Sequence, residues 1–169
     1  MYTVAMSILL SVFTTGAVVA ETRAPVFQHN MLSVPRVDTA DTMGAYQNVQ
    51  LQRAADGRWD LLTVTEAQRA KVEAVRVEQL NTVPEQVKVT VTGFLPTACY
   101  AVDEPFIRRV DTQFTVVINQ QVLQTFAPCT QAVAPFSLSF PLNIFGLSKG
   151  TYAVDVHGLT GTFALSKDN

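Results

Sequence analysis

The chain is predicted to be an all-β protein, an N-terminal antiparallel meander packed on a C-terminal immunoglobulin-like β-sandwich. Three observations predict it. Apolar and polar residues alternate at period two over most of the sequence from Met31 onward, as in strands with one buried face. The segments so marked are short and recur at intervals of roughly ten residues. Turn-forming residues separate them, most clearly Asp56-Gly57, a dipeptide that tolerates the positive φ of a tight hairpin.

Residues 1–20 come before any of this pattern and set the expected compartment. They hold no charged residue; Ile8, Leu9, Leu10, Val12 and Phe13 form an apolar stretch, and Val18-Val19-Ala20 precedes Glu21. Small residues at that point fit the cleavage pattern of a secretory signal, although the usual Lys or Arg near the start is missing. The competing reading is an uncleaved anchor, since twenty uncharged residues are just long enough to span a bilayer. The expected locations are therefore secreted or periplasmic, with membrane contact only if the segment is uncleaved. The expected units are residues 1–20 as signal, 21–83 as meander with a short helix or strand, and 84–169 as sandwich.

Each element has its own warrant. Leu32, Val34 and Val37 mark a strand that Pro35 assigns to a sheet edge. Tyr46, Val49 and Leu51 mark a second, with a bulge before Val49. After the Asp56-Gly57 turn, Trp59, Leu61 and Thr63 alternate in a third. Thr65 and Gln68 have capping-box spacing, which predicts a short helix over 66–71 followed by a strand over 74–79. Residues 81–86, with Pro84, read as a linker. Val87, Val89 and Val91 open the sandwich, and Phe114, Val116 and Ile118 line one face of a later strand. Asn119-Gln120-Gln121 reads as a turn. Phe136, Leu138, Phe140 and Leu142, then Tyr152, Val154 and Val156, form further inward rows. Residues 158–161 read as a turn before Phe163 and Leu165.

Composition narrows function by exclusion. Apolar residues make up 48% of the chain, enough for a packed core. The net charge is −2 and no basic cluster exists, so nucleic acid is excluded as a partner. Two cysteines, Cys99 and Cys129, are in an exported chain most simply one disulfide. Closing that loop would stabilise the fold by about 3–4 kcal/mol. Two buried thiols or a redox pair are the alternatives, and the spacing lacks the two-residue gap of thioredoxin-like sites.

Residues 87–165 carry a resemblance. The residues are Val87-Lys88-Val89-Thr90-Val91-Thr92-Gly93-Phe94-Leu95-Pro96 before Cys99, then Cys129-Thr130-Gln131-Ala132 before Pro135-Phe136. Gly146-Leu147-Ser148-Lys149-Gly150-Thr151-Tyr152 and Gly161-Thr162-Phe163-Ala164-Leu165 complete it. This span resembles an immunoglobulin-like β-sandwich module of exported bacterial proteins with one disulfide, a family without assigned biochemistry. The resemblance implies an all-β fold with an immunoglobulin-like sandwich and an envelope location, and no ligand. The family often carries Asn where His157 stands.

Candidate chemistry is sparse. Asp155 and His157 leave one face of a strand, as a carboxylate orienting an imidazole would, but no serine nucleophile motif accompanies them and the face reads as solvent-exposed. His29, Met31 and His157 are soft ligands spread over distant segments, so no metal and no cofactor are expected. Asp103 and Glu104 near Asp111, with Arg108 and Arg109 between, read as a solvated salt-bridged loop. Trp59 reads as a core anchor. The strongest partner-binding candidates are Tyr100, Phe106, Ile107, Arg108 and Arg109, on a loop held by the disulfide. The expected function is a non-enzymatic binding or structural module of the bacterial cell envelope, its partner a protein or an envelope polymer. The alternative is a proteinaceous inhibitor of an extracellular hydrolase, lysozyme or a protease, which would insert the same loop into an active-site cleft.

Overall fold

A computed structural model describes residues 24–123 and 131–169. The expected signal over residues 1–20 and the second cysteine, Cys129, lie outside them. Among the described residues there are fourteen strands and no helix.

The first four strands, β1 (Val26–Gln28), β2 (Met31–Val37), β3 (Tyr46–Arg53) and β4 (Trp59–Glu66), form an antiparallel meander in that order. The Asp56-Gly57 hairpin and the bulge in β3 are present: the β3–β4 register shifts between Gln47 and Gln50, at Asn48, whose φ is 53°. Pro35 costs the sheet nothing. β1 pairs only with residues 31–33, so β2 is an edge where Pro35 stands.

The next two strands are β5 (Gln68–Arg69) and β6 (Lys71–Leu80), where a helix was expected over 66–71. Tertiary pairing overrides the capping-box spacing. Gln68 and Arg69 lie opposite Gln120 and Asn119, and Ala70 N–H donates to the Ile118 carbonyl. β-branched Val72, Val75 and Val77 then favour the extended chain that pairs with β7 (Gln86–Leu95). Residues 81–85 are consequently a hairpin loop between β6 and β7, and Gln86 opens β7, so the stretch is not a linker between units.

The chain continues as β8 (Tyr100–Val102), β9 (Phe106–Val110), β10 (Gln113–Val117) and β11 (Asn119–Val122), a long bent hairpin in which β8 pairs with β11 and β9 with β10. Two expectations change here. The stretch read as a partner-binding loop is largely strand, and Asn119-Gln120-Gln121 is β11 instead of a turn. Their polar side chains hid a buried strand: Asn119 and Gln120 are almost fully enclosed. The last strands are β12 (Ala134–Leu142), β13 (Gly150–Val156) and β14 (Leu159–Leu165).

Sheet β12-β7-β6 stacks on sheet β14-β13-β10-β9. Val87, Val89 and Val91 from one meet Phe114, Val116, Tyr152, Val154, Val156 and Phe163 from the other. Removing such side chains from water is the main driving force of the fold. Phe114, Tyr152 and Phe163 pack as an aromatic trio, with Tyr152 stacked on Phe163 at 5.2 Å. The Tyr152 hydroxyl donates to the Ser148 carbonyl, 2.7 Å away, as in the tyrosine corner of immunoglobulin-like sandwiches. One pairing is parallel: β10 runs alongside β13.

Candidate binding surface

The loop between β2 and β3 decides how the meander sits on the sandwich. Asp38, on this loop, accepts from the Gly44 N–H. The Arg108 guanidinium reaches across from β9 to both Asp38 oxygens, at 3.0 and 3.1 Å, and to the carbonyls of Thr39 and Ala40 at 2.6 and 2.7 Å. Three further donors converge on the same loop. Asn119 Nδ2 donates to the Gly44 carbonyl, Arg69 to the Met43 carbonyl, and Ala67 N–H to the Ala45 carbonyl. Met43 is buried beneath them.

Phe106 fills the middle of this contact. Its ring lies against Gly44, where a Cβ would come within 2.6 Å of Cδ2. The Arg36 guanidinium from β2 stacks over the other side, 4.2 Å from the ring centroid. Arg36 also donates to the Glu104 carboxylate at 2.8 Å and lies 3.4 Å from Asp103. The Asp103-Glu104 pair is thus a docking site for the chain's own meander, not a locally neutralised loop.

The five sequence-derived contact residues divide accordingly. Phe106 and Arg108 are used inside the chain. Tyr100 begins β8 and is half-buried. Arg109 is exposed and bonds to the Asp111 carbonyl at its own turn. Ile107 remains an exposed apolar side chain.

A row of apolar residues is also exposed on the meander. Phe27, Leu32, Leu51 and Leu61 are successive cross-strand partners, so they share one face of the sheet. Phe27 is 54% exposed, Leu61 59% and Trp59 46%. Trp59 meets Phe27 edge to face at 5.7 Å. It is therefore no core anchor: none of the meander strands contributes to the buried cluster of the sandwich. Period-two alternation marks a face, but not whether another layer covers it.

His157 also departs from expectation. It occupies the tight turn between β13 and β14 with φ 53°, and Gly161 lies within β14. Out of strand geometry, its side chain turns inward, and Nε2 accepts the Ile118 N–H at 3.1 Å. Asp155 instead accepts from the Gly158 N–H. Burial, reinforced by the nearby Arg69 charge, pushes the His157 pKa down; a hydrogen bond with the Ala70 backbone and the Asp155 charge oppose the shift. The neutral ring is the form that can accept from Ile118. A base depressed in the folded state contributes stability present above its unfolded pKa and lost as pH falls. The urea midpoint should therefore drop as pH goes below about 6.5. A His157→Asn variant, which suits positive φ, should show a flatter profile over the same range.

An open depression of about 400 Å³ lies beside this region, lined by Arg69, Lys71, Phe94, Leu95, Pro96 and Val133. Its walls mix apolar Phe94, Leu95, Pro96 and Val133 with charged Arg69, Lys71 and Glu73, and Lys71 is 3.8 Å from Glu73. Among the described residues no three His, Cys, Asp or Glu side chains gather as a metal site.

These observations place a β-sandwich after a separate meander. Residues 89–165 match the family model of the ORF11 beta-sandwich domain. The match covers nearly the span read from sequence as a sandwich module. The ORF11 match runs from within β7 to the end of β14, includes His157, Phe106 and Arg108, and leaves the meander outside. Arg108 and Asn119, which hold the Asp38 to Gly44 loop, lie within the matched region, whereas Arg69, which bonds the Met43 carbonyl, lies before it. Comparison with curated proteins and with solved structures returns no match.

Proposed function

We propose that this chain is an exported, non-enzymatic binding or structural module of the bacterial cell envelope, held in oxidising surroundings by a Cys99–Cys129 disulfide. The observation that carries the reading is the apolar row Phe27, Trp59 and Leu61, exposed on a sheet that the sandwich holds through the β2–β3 loop and Arg36. A contiguous apolar surface of this kind marks an interaction site on a soluble domain. The uncharged residues 1–20 support export. The partner is a protein or an envelope polymer that lies along the meander face. The inhibitor reading loses support, because Phe106 and Arg108 are engaged within the chain and are not presented to a cleft.

The full chain, expressed in a Gram-negative host, tests this. The recovered protein should begin at Glu21, show no alkylatable thiol before reduction, and remain with washed envelopes. Phe27→Ser combined with Leu61→Ser should release it into the soluble periplasmic fraction, with Tm within about 3 °C of wild type. Retention of the variant equal to wild type, or cytoplasmic wild-type protein with free thiols, would overturn the proposal.

A further inference from the structure

Ile118 is the one residue between β10 and β11 and lies outside both ladders. Its N–H is donated to His157 Nε2 at 3.1 Å, and its carbonyl accepts the Ala70 N–H. The next residue, Asn119, is 2% exposed, lies opposite Arg69, and holds the Gly44 carbonyl through Nδ2 at 2.8 Å. Arg69 in turn donates to the Met43 carbonyl at 3.0 Å. One imidazole thus stands behind two of the groups that hold the β2–β3 loop.

We propose that His157 is a proton-operated latch: charging its ring frees the bend at Ile118 and loosens the Gly44 end of the β2–β3 loop, while the sandwich stays folded. The proton comes from solvent and occupies the Nε2 lone pair that the Ile118 N–H now uses, so two donors face each other. An enclosed N–H without an acceptor is costly, and the bend can move because neither ladder fixes it. The charged groups around the ring add a push. Arg69 of β5 repels the imidazolium and is itself a holder of the loop. Asp155 of β13 attracts the imidazolium, and the Ala70 backbone also favours the charged form. Lys71, next to Ala70, is paired with Glu73 at 3.8 Å. Burial holds the ring below its ordinary pKa, so the latch opens only in acid. Phe106 and Arg108 still hold the loop from β9. The latch is independent of the export reading and of the exposed meander face.

Hydrogen exchange followed by NMR reads it on the intact chain. Protection of the Asn119 side-chain amide should fall by about tenfold as pH goes down through the midpoint of the His157 ring protons. The Val89 N–H, in the central strand β7, should keep its protection. His157→Asn should remove the step at Asn119, and His29→Asn should leave it in place. Coupling is reciprocal, so Gly44→Ala, which opens the loop from its other side, should raise the His157 midpoint. Constant protection at Asn119 across the His157 titration would overturn the proposal. So would a step at a different midpoint, a step that survives in His157→Asn, or an equal loss at Val89. Should His157→Asn fail to fold, the match of the two wild-type midpoints and the shift in Gly44→Ala decide between the outcomes.

Discussion

Gly93→Ala should lower stability by about 3 kcal/mol or more, the scale of forced overpacking in a core. Gly93 sits in β7 opposite the one irregularity of the β6–β7 ladder, where the register shifts between Val72 and Ala74. The bulge pushes the β6 backbone toward β7. A Cβ at Gly93 would fall onto the Lys71 carbonyl, with the Phe136 ring on its far side at 2.8 Å. Backbone cannot swing away as a flexible side-chain tip can, so the strands must separate near the Lys71 end of their pairing. A fall in Tm of about 10 °C or more in a thermal melt is the expected result. A loss under about 1 kcal/mol would mean that the bulge relaxes and that β6 is not fixed against β7.

Gly44→Ala is expected to detach the meander from the sandwich while leaving the sandwich folded. Two costs coincide there. Gly44 has φ 58°, unfavourable for a residue with a Cβ, and the added methyl would overlap three atoms of the Phe106 ring. Together they amount to about 2–3 kcal/mol. Moving the ring also disturbs the Arg36 stack, and shifting the Gly44 carbonyl breaks its bond to Asn119. Limited proteolysis should then cut near Ala67, between the two units, much faster than in wild type. The fragment from Gln68 onward should keep its near-ultraviolet signal from Tyr152. Unchanged cleavage would show that Gly44 is not where the two units are joined.

How much of this was legible follows from what each residue reports locally. Val87, Val89 and Val91, or Tyr152, Val154 and Val156, could be assigned because each is an inward position between polar neighbours. The alternation is a direct record of a layer on one side only. The Asp56-Gly57 turn and the Asn48 bulge were equally local. Residues 66–71 misled because capping-box spacing is a weak preference that pairing with β11 overrides. β8 and β9 were hidden because Asp103, Glu104, Arg108 and Arg109 look like a solvated loop. The charges of Asp103, Glu104 and Arg108 are matched only in three dimensions, by Arg36 and Asp38, some seventy residues earlier. Trp59 stands at the head of a strand after a tight turn, where a core anchor is the commoner use, and no periodicity states whether the sheet it lies on is covered. His157 was placed on a strand face because a positive φ is not visible in sequence.

The claim on which the rest depends is that the sandwich holds the meander around Phe106, through the β2–β3 loop and Arg36 of β2. A nuclear Overhauser spectrum tests it most directly. Ring protons of Phe106 should show strong cross-peaks to the Gly44 α-protons, which the ring should shift upfield, and weaker ones to the Arg36 side chain. Gly44 α-protons at random-coil shifts, with no cross-peak to Phe106, would contradict the account.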